Sequence, residues 1–261
     1  MTKQPVIEFE NDDIQLSIDE HLAIIKILSK NPWRNLFTDL EKTEEINQLY
    51  AHIENDNAIK GLLFLNNPEC YDETAYINFL AEISGKDIDS LKFRKISDFE
   101  HEVDRVREIL VTQQYILRMV RFKKLTFTGS LGNVSTPFLG ASLSNDFRFA
   151  SEGDFFTFPH IKFGLHPTGA LPFWLPHYVN KGKSDEILFS GKDLSVKEAH
   201  AFGLIHTIFP EKDFHNRCIR EAKSISDISR SAVRLTKELR PDYGKELKKY
   251  FATEKRFVGI L

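Results

Sequence analysis

Residues 132–151, GNVSTPFLGASLSNDFRFAS, change character three times within one short stretch. Gly132-Asn133 reads as a tight turn. Ser135-Thr136-Pro137 then opens a helix, because proline fits inside its first turn. Phe138-Leu139-Gly140-Ala141-Ser142-Leu143 is apolar nearly all round, so that helix is short and buried. Beyond Asp146, Phe-Arg-Phe-Ala alternates as a strand does. A strand end, a turn, a buried helix and a new strand in this order predict a layered α/β fold. Active sites are often built at such a junction.

The rest of the chain agrees. IQLSI (14–18) and LAIIKIL (22–28) alternate around Asp19-Glu20-His21, which predicts a hairpin, and Asn31-Pro32 ends its second strand. TDLEKTEEINQLYAHIE (38–54) sets Leu40, Ile46, Leu49, Tyr50 and Ile53 near helical spacing, with Thr38 or Asp39 as the cap. GLLFL (61–65) is a continuous apolar run, as expected of a strand buried on both faces. Residues 69–100 are mostly polar and predict helices with a mobile connector. VDRVREILVTQQYILRMVRF (103–122) is an amphipathic helix with Ile109, Leu110, Ile116, Leu117 and Val120 on its apolar stripe. KLTFTG (124–129), DFRFAS and DFFTFPH read as further strands. Beyond Gly191 the pattern is helical throughout, beginning with a capping box at Ser195 and Glu198.

Charge and cysteine usage narrow the function. The 261 residues allow one large core. With 35 basic and 38 acidic residues the net charge is −3, too weak a field for nucleic-acid binding. Two cysteines, Cys70 and Cys218, make neither a disulfide framework nor a zinc site. Apolar runs fall short of the ~18 residues of a membrane span, and Met-Thr-Lys-Gln-Pro lacks the core of a signal peptide. A soluble, cytoplasmic protein is expected. The glycine-rich nucleotide motifs, G-x-S-x-G and H-E-x-x-H are absent.

Several segments together resemble the crotonase superfamily, the enoyl-CoA hydratase/isomerase family. YILRMVRFKKLTFTGSLGNV is similar to its helix, strand and Asn-Gly turn. NDFRFASEGDFFTFPHIKFGLHPTG resembles its Cys-Asp strand and the Phe-x-x-Pro-Glu and Gly-x-x-Pro segments. GKSDEILFSGKDLSVKEAHAFGLIHTIFP is close to its Gly-Lys-Ala…Thr-Gly…Ala-x-x-x-Gly-Leu-Val…Pro signature, the most specific of these matches. The resemblance implies an α/β crotonase-like spiral of β-β-α repeats over residues 1–194. A C-terminal helical trimerisation region follows over 195–261, hence a homotrimer or a dimer of trimers. It also implies lyase or isomerase chemistry on an acyl-CoA or carrier-bound thioester, taken as substrate and not as cofactor. No other cofactor and no metal are expected. In the family two backbone N–H groups hold the thioester oxygen, and one such donor is worth ~2.7–4 kcal/mol of barrier. General acid/base carboxylates stand beside them.

Aligned through Asp146, the family's Gly-Gly-Gly falls on Thr136-Pro137-Phe138. Its donor position falls on Pro137, which has no N–H. A register one residue off would put Thr136 or Phe138 there. One carboxylate position falls on Gly140 and the other on His160. A histidine titrates near neutral pH, so His160 is the candidate acid or base; the alternative is a hydrogen-bonded histidine at a strand end. His166, in GLHPTG, is a second candidate or a loop cap. Cys70 and Tyr71 stand where the family has its Ala-Gly-Ala-Asp donor loop. Cys70 otherwise reads as a small buried apolar group, and Tyr71 as a ring packed on a helix. Arg34 lies where the family meets the CoA tail; it either contacts a phosphate or sits on the surface beside a packed Trp33. The expectation is a divergent thioester-binding protein with the usual hydratase carboxylates replaced, or a catalytically inactive member with a binding or scaffolding role.

Overall fold

The computed structural model describes residues 8–93 and 98–257. Residues 1–7, residues 94–97 of the expected connector and residues 258–261, on which the expectation of a helix running to the end of the chain falls, lie outside them. The predicted hairpin is present as β2 (Ile14–Asp19) and β3 (Leu22–Ile27), flanked by β1 (Phe9–Glu10). Asn31 caps α1 (Pro32–Asn35), and Asp39 caps α2 (Leu40–Asn55) by accepting from the N–H groups of Glu41 and Lys42. β4 (Gly61–Asn66) follows, buried at every position.

The polar stretch after β4 forms α3 (Glu73–Ser84), closed by Gly85 in the left-handed region, where glycine carries no Cβ penalty. α4 (Glu102–Met119) then leads to β5 (Leu125–Ser130). β6 (Val134–Ser135), α5 (Thr136–Ser142), β7 (Phe147–Ser151) and β8 (Phe155–Thr157) reproduce the order read from residues 132–151. Short helices α6 (Pro159–Lys162) and α7 (Leu171–Trp174) precede α8 (Lys181–Ser190).

Past Gly191 the chain is not wholly helical. β9 (Leu194–Ser195) and β10 (Thr207–Phe209) surround α9 (Val196–Ala201), whose N-terminus carries the predicted capping box. Two- and three-residue strands have no periodicity to detect; only their pairing with distant strands makes them strands. α10 (Phe214–Ser226), α11 (Arg230–Leu239) and α12 (Tyr243–Phe257) end the described chain.

Seven strands pair in the order β1-β2-β3-β4-β5-β7-β10, parallel from β3 onward. Parallel neighbours need crossover connections, which the helices provide. The continuous apolar run of β4 is explained by its two covered faces. Leu62 and Phe64 pack toward Leu49, Tyr50 and Ile53 of α2, while Leu63 and Leu65 pack toward Phe214, Cys218 and Ala222 of α10. A small sheet, β6-β8-β9, sits beyond the main one. The third and largest apolar cluster joins α3, α5 and α7. The architecture is α/β, with a helical C-terminal region.

Candidate functional site

The N-terminus of α5 is fully packed. Thr136 is inaccessible and Phe138 is 9% exposed; Pro137 and Gly140 are buried too. Phe138 places its ring 4.2 Å from Trp33, 5.3 Å from Phe37 and 3.4 Å from Tyr71, centroid to centroid. Pro137, in the first turn of α5, has no N–H to offer. Gly140 is pressed against the chain at Gly169: a Cβ on Gly140 would lie 2.4 Å from the Gly169 carbonyl oxygen. A Cβ on Gly169, whose φ is +72°, would lie 2.2 Å from the carbonyl oxygen of Pro137. Two backbones cross here at contact distance, so no side chain fits at position 140 without moving one of them.

His160 lies on α6, not at a strand end, and is 2% exposed. Its Nε2 is 3.1 Å from the Leu188 carbonyl oxygen, an acceptor only, so Nε2 carries the proton and donates. Nδ1 then faces the Thr136 hydroxyl at 3.0 Å, whose one proton is shared between Nδ1 and the Thr157 carbonyl at 3.1 Å. Burial pushes the imidazole down to about 4, so it is neutral at pH 7 with both nitrogens engaged. The geometry makes it a clip between α5, α6 and α8.

The loop after β4 meets α5 directly. The Ser135 N–H donates to the Tyr71 carbonyl at 2.7 Å, and the Cys70 N–H bonds back to Asn67 at 3.4 Å. The Cys70 thiol is 1% exposed, donates to the Ser29 carbonyl at 3.1 Å and is pushed up to about 11 by burial. It is not a thiolate at neutral pH. Arg34 turns away from this junction: its guanidinium is 2.5 Å from Asp104 and 3.3 Å from Glu82.

Behind the stacked rings of Tyr71 and Phe138 lies a cavity of about 110 Å³. Its floor is the C-terminal ends of three neighbouring strands, reached at Ile27, Asn66 and Ser130. Its walls come from α2 (Ile46, Tyr50), α4 (Val111, Tyr115) and α5 (Ala141, Ser142). Among parallel strands this end is the usual place for a ligand. Burial raises the phenols of Tyr50, Tyr71 and Tyr115, so all three remain protonated hydroxyls. The cavity is an apolar chamber with neutral hydrogen-bonding tips, and His160 is not among its lining residues.

His166 belongs to a different place. Its Nε2 is 3.6 Å from Oε1 of Glu254 on α12, whose other oxygen accepts from Gln113 at 2.6 Å. In the same region of the interior, Arg105 is 2.5 Å from Glu108 and 3.0 Å from the Tyr76 hydroxyl. Burial raises the Glu108 carboxyl, against the pull of Arg105. This charged knot ties α3, α4 and α12 to the loop at 166–168.

The structure thus brings Tyr71, Thr136, Pro137, Phe138, Gly140 and His160 to one locality and leaves Arg34 and His166 outside it. Sequence reading missed Tyr50, Tyr115, Asn47 and Gln114 of the cavity, and the pair Arg105–Glu108. Tyrosines within an apolar stripe, and charges interrupting the stripe of α4, were the available signals.

A profile of the enoyl-CoA hydratase/isomerase family matches residues 139–259. Human enoyl-CoA delta isomerase 2 is 24% identical over 220 residues, which are 83% of this chain and 52% of that protein. The mouse mitochondrial enoyl-CoA hydratase domain-containing protein 3 is 30% identical over 159 residues, 59% of this chain and 49% of that one. The chain spans about half the length of these curated relatives, or less: 33% for the rat delta isomerase 2. Among solved structures, an enoyl-CoA hydratase from Bacillus halodurans superposes with a TM-score of 0.75 at 18% identity, over 95% of this chain and 94% of that one. One from Polaromonas sp. JS666 gives 0.71 at 14% identity, over 93% and 91%. With its parallel-rich sheet and helical C-terminal region the chain has the fold of the solved enoyl-CoA hydratases, and residues 139–259 resemble the enoyl-CoA hydratase/isomerase family, the crotonase superfamily, in sequence.

Proposed function

We propose that the protein binds a small acyl group, carried as a CoA or carrier-bound thioester, in the tyrosine-lined cavity, and that it does not hydrate enoyl thioesters by the family's usual route. The observation that carries this reading is the cavity itself, set between the loop at 66–71 and α5. Against the usual hydration route stand the missing N–H at Pro137, the side-chain-free crossing at Gly140 and the neutral, doubly bonded His160. Assembly as a homotrimer or a dimer of trimers belongs to the same reading.

Thermal unfolding with short acyl-CoA esters tests it. A ligand at ~100 times its dissociation constant stabilises by ~2.7 kcal/mol, and a rise in Tm without turnover of crotonyl-CoA is expected. Hydration of crotonyl-CoA above background overturns the second half of the proposal. A catalytically silent scaffold is the second reading, favoured by the direct Ser135–Tyr71 bond and the Tyr71–Phe138 stack that close the approach from α5. An unchanged Tm across a series of CoA esters selects it.

A further inference from the structure

On the side away from α5 the cavity adjoins a surface depression. Asn47 on α2 and Gln114 on α4 line both the cavity and a surface depression whose other walls are Glu54, Leu117, Arg118 and Arg121. Gln114 and Arg121 are exposed and Asn47 is half-buried. On the α5 side the wall is closed by Leu36, Phe138 and Ala141, each less than a tenth exposed. Asn47 and Gln114 therefore form the wall shared by the cavity and the surface in the cleft between α2 and α4.

The rim of that cleft is cationic. Glu54 is 3.7 Å from Arg118 and also accepts from the Lys123 N–H, so it offsets one arginine. Arg121 has no carboxylate partner among the described residues. Its side chain packs over α12: a Cβ on Gly244 would lie only 2.6 Å from its Nε. A guanidinium with no carboxylate partner among the described residues thus lines the depression next to a tyrosine-lined chamber. A cavity of ~150 Å³ takes a benzene ring, so this one holds roughly four to six carbon atoms.

We propose that ligands enter through the α2–α4 cleft, and that the occupant is an amphipathic anion with its short apolar body in the cavity and its negative group on Arg121. The assignment uses the same cavity as the acyl-binding reading and adds the direction of approach and the anion. Two sources share this chemistry: a free short-chain carboxylic acid, and a thioester whose carrier phosphate supplies the charge.

Isothermal titration of the full chain with hexanoate, hexan-1-ol and hexanoyl-CoA tests it. Arg121→Ala is expected to weaken at least one of the two anionic ligands about tenfold, the size of one charge-assisted hydrogen bond, and to leave hexan-1-ol unchanged. Arg121→Lys restores most of the loss. Gln114→Trp, an exposed substitution that plugs the mouth, abolishes binding of all three. Which anion responds to Arg121→Ala identifies the source. The proposal is overturned if neither anion responds, if hexan-1-ol weakens equally, or if the Gln114→Trp protein still admits ligand. Binding of hexanoate alone keeps this proposal and sinks the thioester reading. Binding of hexanoyl-CoA that ignores both variants does the reverse.

Discussion

The N-terminus of α5 and the cavity behind it are walled by the same rings, Tyr71 and Phe138, yet they have opposite character. At the junction, backbone meets backbone at Gly140 and Gly169, and polar groups bond to each other: Ser135 to Tyr71, Thr136 to His160. The Ser135 hydroxyl is buried there without a partner among the described residues, in a space closed by packed backbone and rings. The cavity, lined by Tyr50, Tyr71 and Tyr115, encloses open space and shares the wall of Asn47 and Gln114 with a surface depression. The difference teaches that a position without a side chain and a close-packed crossing go together: glycine at 140 lets the chain at Gly169 approach to contact distance, and no side chain fits there without moving one of the two backbones.

The strongest way to break this comparison is to place a carboxylate at 140. Gly140→Glu forces a Cβ to within 2.4 Å of a carbonyl oxygen. Overpacking at a backbone contact is expected to destabilise by about 3 kcal/mol or more, seen as a large drop in the urea midpoint or as insoluble protein. A Gly140→Glu protein with unchanged stability and hydratase activity would show that the crossing is not obligatory.

Acid is the next largest probe. His160 falls from 6.5 to about 4 on folding, so the folded state favours the neutral ring. Its contribution is complete above pH 6.5 and is lost as pH falls through 4, by about 3 kcal/mol at ~1.36 kcal/mol per pH unit. Glu108 acts in the opposite sense, since a raised carboxyl favours the folded state as pH drops. Urea unfolding of wild type against His160→Gln between pH 7 and 4 isolates the histidine, because Glu108 is common to both. Equal pH slopes would mean that the imidazole is not clipped as described.

Arg34→Ala should do least. Its partners are Asp104 and half-exposed Glu82, and pairs of this kind contribute less than about 1 kcal/mol. Acyl-CoA affinity is expected to stay the same in a titration of the variant. A marked loss would place the carrier at α1 and blunt the contrast between a closed junction and an open cleft.

Much of the fold was legible because its signals are local. The hairpin of β2 and β3 alternates with a period of two, β4 is apolar at nearly every position, and α2 and α9 announce their starts with capping side chains. β10 was not legible, because Thr207–Phe209 becomes a strand only by pairing with Phe149, Ala150 and Ser151. His160 was legible as a special residue but not in its role. A histidine code letter does not say whether Thr136 and Leu188 will occupy its two nitrogens. Arg105 and Glu108 interrupt an apolar stripe, yet nothing in the stripe says that they meet Tyr76 in the interior.

By itself the sequence determined which residue types stand at 137 and 140. Proline at 137 has no amide hydrogen and glycine at 140 no functional group in any fold, because those properties are covalent. Only the tertiary structure decided that Gly140 is wedged against Gly169, that Tyr50, Tyr71 and Tyr115 share one chamber, and that Arg121 lines the depression beside it. These are distances between segments far apart along the chain, set by how helices pack on a sheet.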